Sequence, residues 1–310
     1  MKKLLIKCCL LLALVPCFNS CTSLHEAAEK GDVATVQRFI SEGKNVNQVD
    51  KDGKTPLHLA ARNGHTEVAK ALIAAGANVN LADKEGRPPL STAILYGHPE
   101  TVKALIAAGA DVNLANKYGT TPLFFADYKG YTETVKALIA AGANVNLADE
   151  YGCTPLYEAA RNGRTEIVKV LIAAGANVNP ANKFGYTPLG SAVYNGHTET
   201  VKVLIAAGAD VNLANKFGDT PLYEAARGGH TEIVKALIAA GVNVNLANKD
   251  GETPLCVAAR KGHTEVAKAL IAAGADFNKA NNEEWTPLRI ATSNGHTEII
   301  NLLKAAGAKE

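Results

Sequence analysis

Histidine and cysteine are the side chains of this protein with the most chemistry in them, and their spacing decides how much can be used. The chain has eight histidines and six cysteines. His65, His98, His197, His230, His263 and His296 each follow a glycine and recur at 33 residues or a multiple of it. His25 and His58, also 33 apart, each follow a leucine. A metal needs its ligands within about 2 Å of one ion. Neighbours in either series stand a whole unit apart, roughly 10 Å at the spacing of packed helices. The histidines therefore read as hydrogen-bonding links between helix starts and loops, and no metal site is expected. Cys8, Cys9, Cys17 and Cys21 crowd the amino terminus, while Cys153 and Cys256 lie about three units apart. That separation, roughly 30 Å, far exceeds the Cα–Cα limit of about 7 Å for a disulfide, so two independent thiols are expected. No Gly-rich phosphate loop, nucleophile motif or paired-acid constellation stands out from the repetition. Neither catalysis nor a cofactor is expected.

The unit that must position these residues is clearest at Asp50 to Ala82, DKDGKTPLHLAARNGHTEVAKALIAAGANVNLA. Its Thr-Pro-Leu recurs from Thr121, Thr154, Thr187, Thr220, Thr253 and Thr286, and the register survives at Pro88-Pro89-Leu90, where the Thr is lost. A degenerate Thr22-Ser23-Leu24-His25 completes nine copies. Thr55 suits a helix N-cap, and Pro56 suits the first helical position, where no N–H is needed. Leu57, Ala60 and Ala61 make an apolar stripe at helical spacing that Gly64 ends. A second helix is expected to start with Thr66 as cap and Glu67 against the positive dipole end, to face Val68, Leu72 and Ile73 inward, and to stop at Gly76. Asp50 to Gly53 fits a turn with Asp first and Gly fourth. Two such short helices cannot bury enough apolar surface alone, whereas stacked copies share one continuous core.

A 33-residue period carrying Thr-Pro-Leu-His-x-Ala-Ala, Gly-His and Gly-Ala-Asn-Val-Asn resembles the ankyrin repeat, over nearly all of residues 22–310. The resemblance implies an all-α solenoid of about nine helix–turn–helix units joined by β-turn or hairpin loops. An N-terminal cap repeat is expected over about 22–49, full repeats over about 50–280 and a C-terminal repeat over about 281–310. It also implies a monomeric scaffold that binds a protein partner, without enzymatic activity. Composition agrees. With 20% charged residues and a net charge of +2, no nucleic-acid surface is expected, and every Ala-Leu-Ile-Ala-Ala run is cut by Gly before it reaches membrane-spanning length.

Residues 1–21 stand apart. Lys2, Lys3 and Lys7 precede an apolar run from Cys8 to Val15, then Pro16 and small or polar residues. That is the layout of an export signal. Ser20-Cys21 resembles a loose bacterial lipoprotein box, which makes Cys21 a lipidation candidate and the cell envelope the expected destination, lipid-anchored or periplasmic, with secretion a further outcome. Phe18 is a poor fit to that box. Cleavage near Cys17 and retention of the leader as an uncleaved anchor remain open at this point. The polar first copy, with Glu26, Glu29, Lys30, Gln37 and Arg38, reads as the terminal cap.

Comparing the copies with one another shows where they diverge. The second helix barely changes, whereas the turn tip and first helix do. The residue before the tip glycine runs Asp52, Glu85, Tyr118, Tyr151, Phe184, Phe217, Asp250; after it come Lys54, Arg87, Thr120, Cys153, Tyr186, Asp219, Glu252, with Trp285 in the last copy. In the first helix Phe124, Tyr157 and Tyr223 follow the Leu, Phe125 follows Phe124, and Tyr128 and Tyr194 come five positions after the Leu. By the resemblance, tips and first helices line the concave face where partners bind. Tyr118, Phe124, Phe125, Tyr128, Tyr151, Tyr157, Phe184, Tyr186, Tyr194, Phe217 and Tyr223 are thus the candidate partner-binding residues. Aromatics supply large contact area at low entropy cost. Two other readings stay open: the same ladder stacking on a glycan or small molecule, and aromatics that only pack against neighbouring repeats.

Overall fold

The computed structural model describes residues 23–309. The leader, with Cys17 and Cys21, lies outside the described residues, as does Thr22. Eighteen helices form nine pairs, and no strand occurs among the described residues. Repeats one to three comprise Leu24–Lys30 with Val33–Ser41, Pro56–Asn63 with Thr66–Ala74, and Pro89–Tyr96 with Pro99–Ala107. Repeats four to six comprise Pro122–Lys129 with Thr132–Ala140, Pro155–Arg161 with Thr165–Ala173, and Pro188–Tyr194 with Thr198–Ala206. Repeats seven to nine comprise Pro221–Gly228 with Thr231–Ala239, Pro254–Lys261 with Thr264–Ala272, and Pro287–Ser293 with Thr297–Ala305. First helices pack on adjacent first helices and second helices on adjacent second helices. No helix among the described residues is long and apolar enough to cross a membrane.

The first helix starts as its sequence dictates. Thr55 is extended (φ −87°, ψ 166°), and its hydroxyl accepts the His58 N–H while Pro56 occupies the first helical position. Gly64 ends the helix in the left-handed region at φ 72°. The second helix starts differently from expectation. Thr66 is its first residue rather than its cap, and the cap position belongs to His65, which makes no side-chain capping bond. The His65 ring is instead turned back to the preceding repeat, its Nε2 2.9 Å from the Glu29 carbonyl oxygen. The Thr66 hydroxyl bonds Thr101 Oγ1 across the joint at 2.8 Å.

Leucines at one position of the first helix and one of the second build most of the core. Leu57, Leu90, Leu156, Leu189, Leu222 and Leu255 are fully buried along the first helices, and Leu72, Leu105, Leu138, Leu171, Leu204, Leu237 and Leu270 along the second. Each buried leucine contributes about 1.5–3 kcal/mol, and the alanines at positions such as Ala60 and Ala61 let the helices approach closely. Ile73 is only half buried, at the core margin.

The histidines of the Gly-His series serve this stack. His98, His197, His263 and His296 place Nε2 2.8–3.2 Å from the carbonyls of Arg62, Arg161, Arg227 and Arg260. Each ring covers the left-handed glycine of the preceding repeat so closely that a Cβ on Gly64 would lie 2.4 Å from His98 Nδ1. His58 is buried between repeats with Nε2 3.0 Å from the Arg87 carbonyl oxygen, and burial holds its pKa below the usual imidazole value. Among the described residues no group of three or more His, Cys, Asp or Glu could hold a metal ion.

Candidate functional site

The turn tips are built by short polar side chains. In each aromatic tip an Asn or Asp carboxamide or carboxylate oxygen accepts two amide hydrogens, one from the aromatic residue itself. Asn116 Oδ1 takes Tyr118 N and Thr120 N, both at 2.9 Å. Asp149 Oδ1 takes Tyr151 N at 2.9 Å and Cys153 N at 2.8 Å. Asn182 holds Phe184 N and Tyr186 N, and Asn215 holds Phe217 N and Asp219 N, in the same manner. The tip glycine then allows the left-handed turn, as Gly185 does at φ 84°.

The tips are also stitched to each other. The carbonyl of each tip aromatic accepts the amide of the next repeat's turn: Glu150 N to Tyr118 O at 3.0 Å, Lys183 N to Tyr151 O at 2.9 Å, Lys216 N to Phe184 O at 3.1 Å and Lys249 N to Phe217 O at 3.2 Å. Both backbone groups of every ladder residue are therefore committed to the scaffold, while the rings are not. Tyr118, Tyr151, Phe184 and Phe217 are 45%, 53%, 56% and 62% exposed. Four consecutive repeats thus present one large apolar ring each from a fixed backbone position. Binding to such a surface incurs little loop-ordering entropy.

The first-helix candidates divide. Tyr128 and Tyr194 are exposed. Tyr194 is flanked by Arg227, whose guanidinium carbon lies 5.4 Å from the ring centroid, and by Tyr186, edge-on at 6.3 Å. Tyr186 and Phe124 are half-buried. Tyr157 and Tyr223 are buried, and Phe125 packs against the core. The position after the Leu points under the next tip, so an aromatic there is covered by its neighbour. Tyr223 shows this, its hydroxyl 3.1 Å from Glu252 Oε2 in the following turn. These three offer a partner little surface. Sequence comparison missed Tyr96, which is exposed and carries Arg62 at 5.3 Å over its ring. It sits one position beyond the Tyr128 and Tyr194 slot, where most copies have a polar residue or Gly.

Two titratable groups in this region are perturbed by burial. The Cys153 thiol, half-buried beside Asp149, is pushed up to about 11, so it is neutral and unreactive at physiological pH. Asp127, fully buried in the first helix of repeat four, is pushed up to about 8, and neither carboxyl oxygen has a hydrogen-bond partner. The Arg164 charge opposes that rise and the Glu158 charge adds to it. Arg164 stands where other repeats have the Gly-His histidine; its Nη2 donates to the Tyr128 carbonyl while Nη1 is buried without a partner.

A family model described as ankyrin repeats (3 copies) matches the chain in four overlapping stretches, residues 24–116, 105–182, 171–248 and 228–309. The chain belongs to the ankyrin-repeat family. Ankyrin repeats are generally protein–protein interaction modules and typically non-enzymatic scaffolds. A comparison with curated proteins returns no match. In this ankyrin array the copies are nearly identical on the second helices, so the exposed tip and first-helix side chains carry what distinguishes one repeat from the next.

Proposed function

We propose that this ankyrin array is a binding scaffold that captures a protein partner along the aromatic rim formed by Tyr118, Tyr151, Phe184 and Phe217, with Tyr128 and Tyr194 on the adjoining first helices. The supporting observation is the pairing of exposed rings with a backbone fixed at both amide and carbonyl. An aromatic left exposed at this density has no packing role to explain it, and rings held in place make anchors of low entropic cost. Affinity capture with paired baits, the unaltered array and its Tyr151→Ala/Phe184→Ala variant, tests the reading. A protein retained by the first and lost from the second is expected. The same proteins on both baits would place the binding surface elsewhere. Exposed tyrosine and phenylalanine faces also suit stacking on sugar rings, so a glycan array with the same two baits checks the second reading.

We further propose that the leader exports the chain to the cell envelope and that Cys21 carries the lipid. A single acyl chain binds membranes marginally, so stable anchoring needs the several chains of a bacterial lipoprotein. Cys21→Ser should move the protein to a soluble extracytoplasmic fraction. Unchanged membrane association of that variant would favour an uncleaved leader.

A further inference from the structure

At the opposite end of the first helix from the tips, the joint between repeats three and four departs from its neighbours. Two residues change there together. Tyr131 takes the histidine position and Pro99 takes the position of Thr66, while Thr134, like Thr101 and Thr200, occupies a position filled by Ile167 and Ile233 in other repeats. Two other joints carry a hydroxyl pair at this place. At the joint between repeats two and three His98 covers Gly64, and Thr66 Oγ1 bonds Thr101 Oγ1. At the joint between repeats five and six Thr165 Oγ1 bonds Thr200 Oγ1 at 2.9 Å.

Between repeats three and four the hydroxyl pair is missing. Pro99 has no hydroxyl, so the Thr134 hydroxyl, at the position of Thr101 and Thr200, has no partner among the described residues. The longer Tyr131 ring sends its hydroxyl over Gly97, to 2.7 Å from where a Cβ would stand. A cavity of about 350 Å³ is left, lined by Ile94, Pro99, Val102, Tyr131 and Thr134 with Glu133 at its edge. That volume lies at the lower end of the range for small-molecule sites, which are typically apolar with a few convergent polar groups.

We propose that this cavity binds a small, neutral, apolar compound that hydrogen-bonds the Thr134 hydroxyl. A compact ligand fits better than a peptide, because the space between His98 and Tyr131 holds only about 350 Å³. A neutral ligand fits better than an anion, because the Glu133 carboxylate lies at the edge, paired only with exposed Lys136. The site is separate from the aromatic rim and stands or falls without it.

Indole serves as the probe, followed by amide chemical-shift changes in the full array. Shifts are expected over residues 94–102 and 131–134, and indole-3-acetate, the same rings with a carboxylate, should bind at least several-fold more weakly. Thr134→Ile fills the cavity with the residue found at that position in repeats five and seven, and should weaken indole binding tenfold or more. Pro99→Thr supplies the missing hydroxyl partner and should also weaken it. Both variants carry residues already present at these positions in other copies, and a melting curve confirms folding. No shifts at saturating indole would overturn the proposal, as would shifts that persist undiminished in Thr134→Ile.

Discussion

Replacing Asp127 with alanine should stabilise this protein, and by an amount that depends on pH in a defined direction. The position is held by Ala61, Ala160, Ala226 and Ala259 in other repeats, so the backbone and packing accept the change. In the folded chain Asp127 is fully buried with both oxygens unpartnered, and its pKa is raised to about 8 from an ordinary 3.8. A group whose folded pKa is raised contributes stability below its unfolded pKa and loses it as pH rises through the folded value. The loss here should therefore accrue between about pH 4 and about pH 8. At pH 7 the chain must take up a proton across roughly three pH units, which at 1.36 kcal/mol per unit costs about 4 kcal/mol. The buried neutral carboxyl adds about 1–3 kcal/mol for its missing partners at any pH. Asp127→Ala should thus gain about 1–3 kcal/mol at pH 4 and several kcal/mol more at pH 8. Urea denaturation of both proteins at the two pH values reads this directly. A gain of equal size at both, or a loss at pH 8, would refute the burial argument and imply that Asp127 is ionised and paired with Arg164.

Three smaller predictions test the repeat logic. Pro88 caps the first helix of repeat three without a side-chain bond and leaves the Ser91 hydroxyl buried and unpartnered, so Pro88→Thr should add about 1 kcal/mol to stability in thermal denaturation. Glu284 sits at φ 62°, where the preceding repeats place a tip glycine, so Glu284→Gly should stabilise by about 1 kcal/mol. Gly185→Ala should do the opposite, since its Cβ would stand 2.7 Å from the Lys216 amide nitrogen.

The Glu284 contrast also shows what the amino-acid sequence makes legible. The tip glycines are needed because another turn follows closely, and the last repeat, with no following turn among the described residues, tolerates glutamate. Period, caps, turns and the leucine spine all followed from residue types at fixed spacing, because every contact in the stack is local. Thr66 was misread because a Thr-Glu pair opens a helix equally well as cap and second residue or as first and second residues. Only the His65 ring, directed to another repeat, decides between them. Tyr157 and Tyr223 shared the variability of the rim yet are buried, because a residue just after the Leu lies beneath the next turn. Asp127 and Tyr131 break the repeat pattern visibly, but the unpartnered burial of the one and the cavity beside the other depend on how adjacent copies meet.

The central claim is that the rim aromatics are partner anchors rather than packing. The direct measurement is affinity for the captured partner together with melting temperature, both on Tyr151→Ala/Phe184→Ala. Loss of two anchors should cost on the order of 2–4 kcal/mol of binding, roughly 30- to 1,000-fold in Kd. Stability should change little, because both rings are more than half exposed and surface substitutions are usually within about 0.5 kcal/mol. Truncating Asp52 and Asp250, the equivalent tips outside the ladder, should alter neither quantity appreciably. A variant with a clearly lowered melting temperature that binds its partner unchanged would contradict the account.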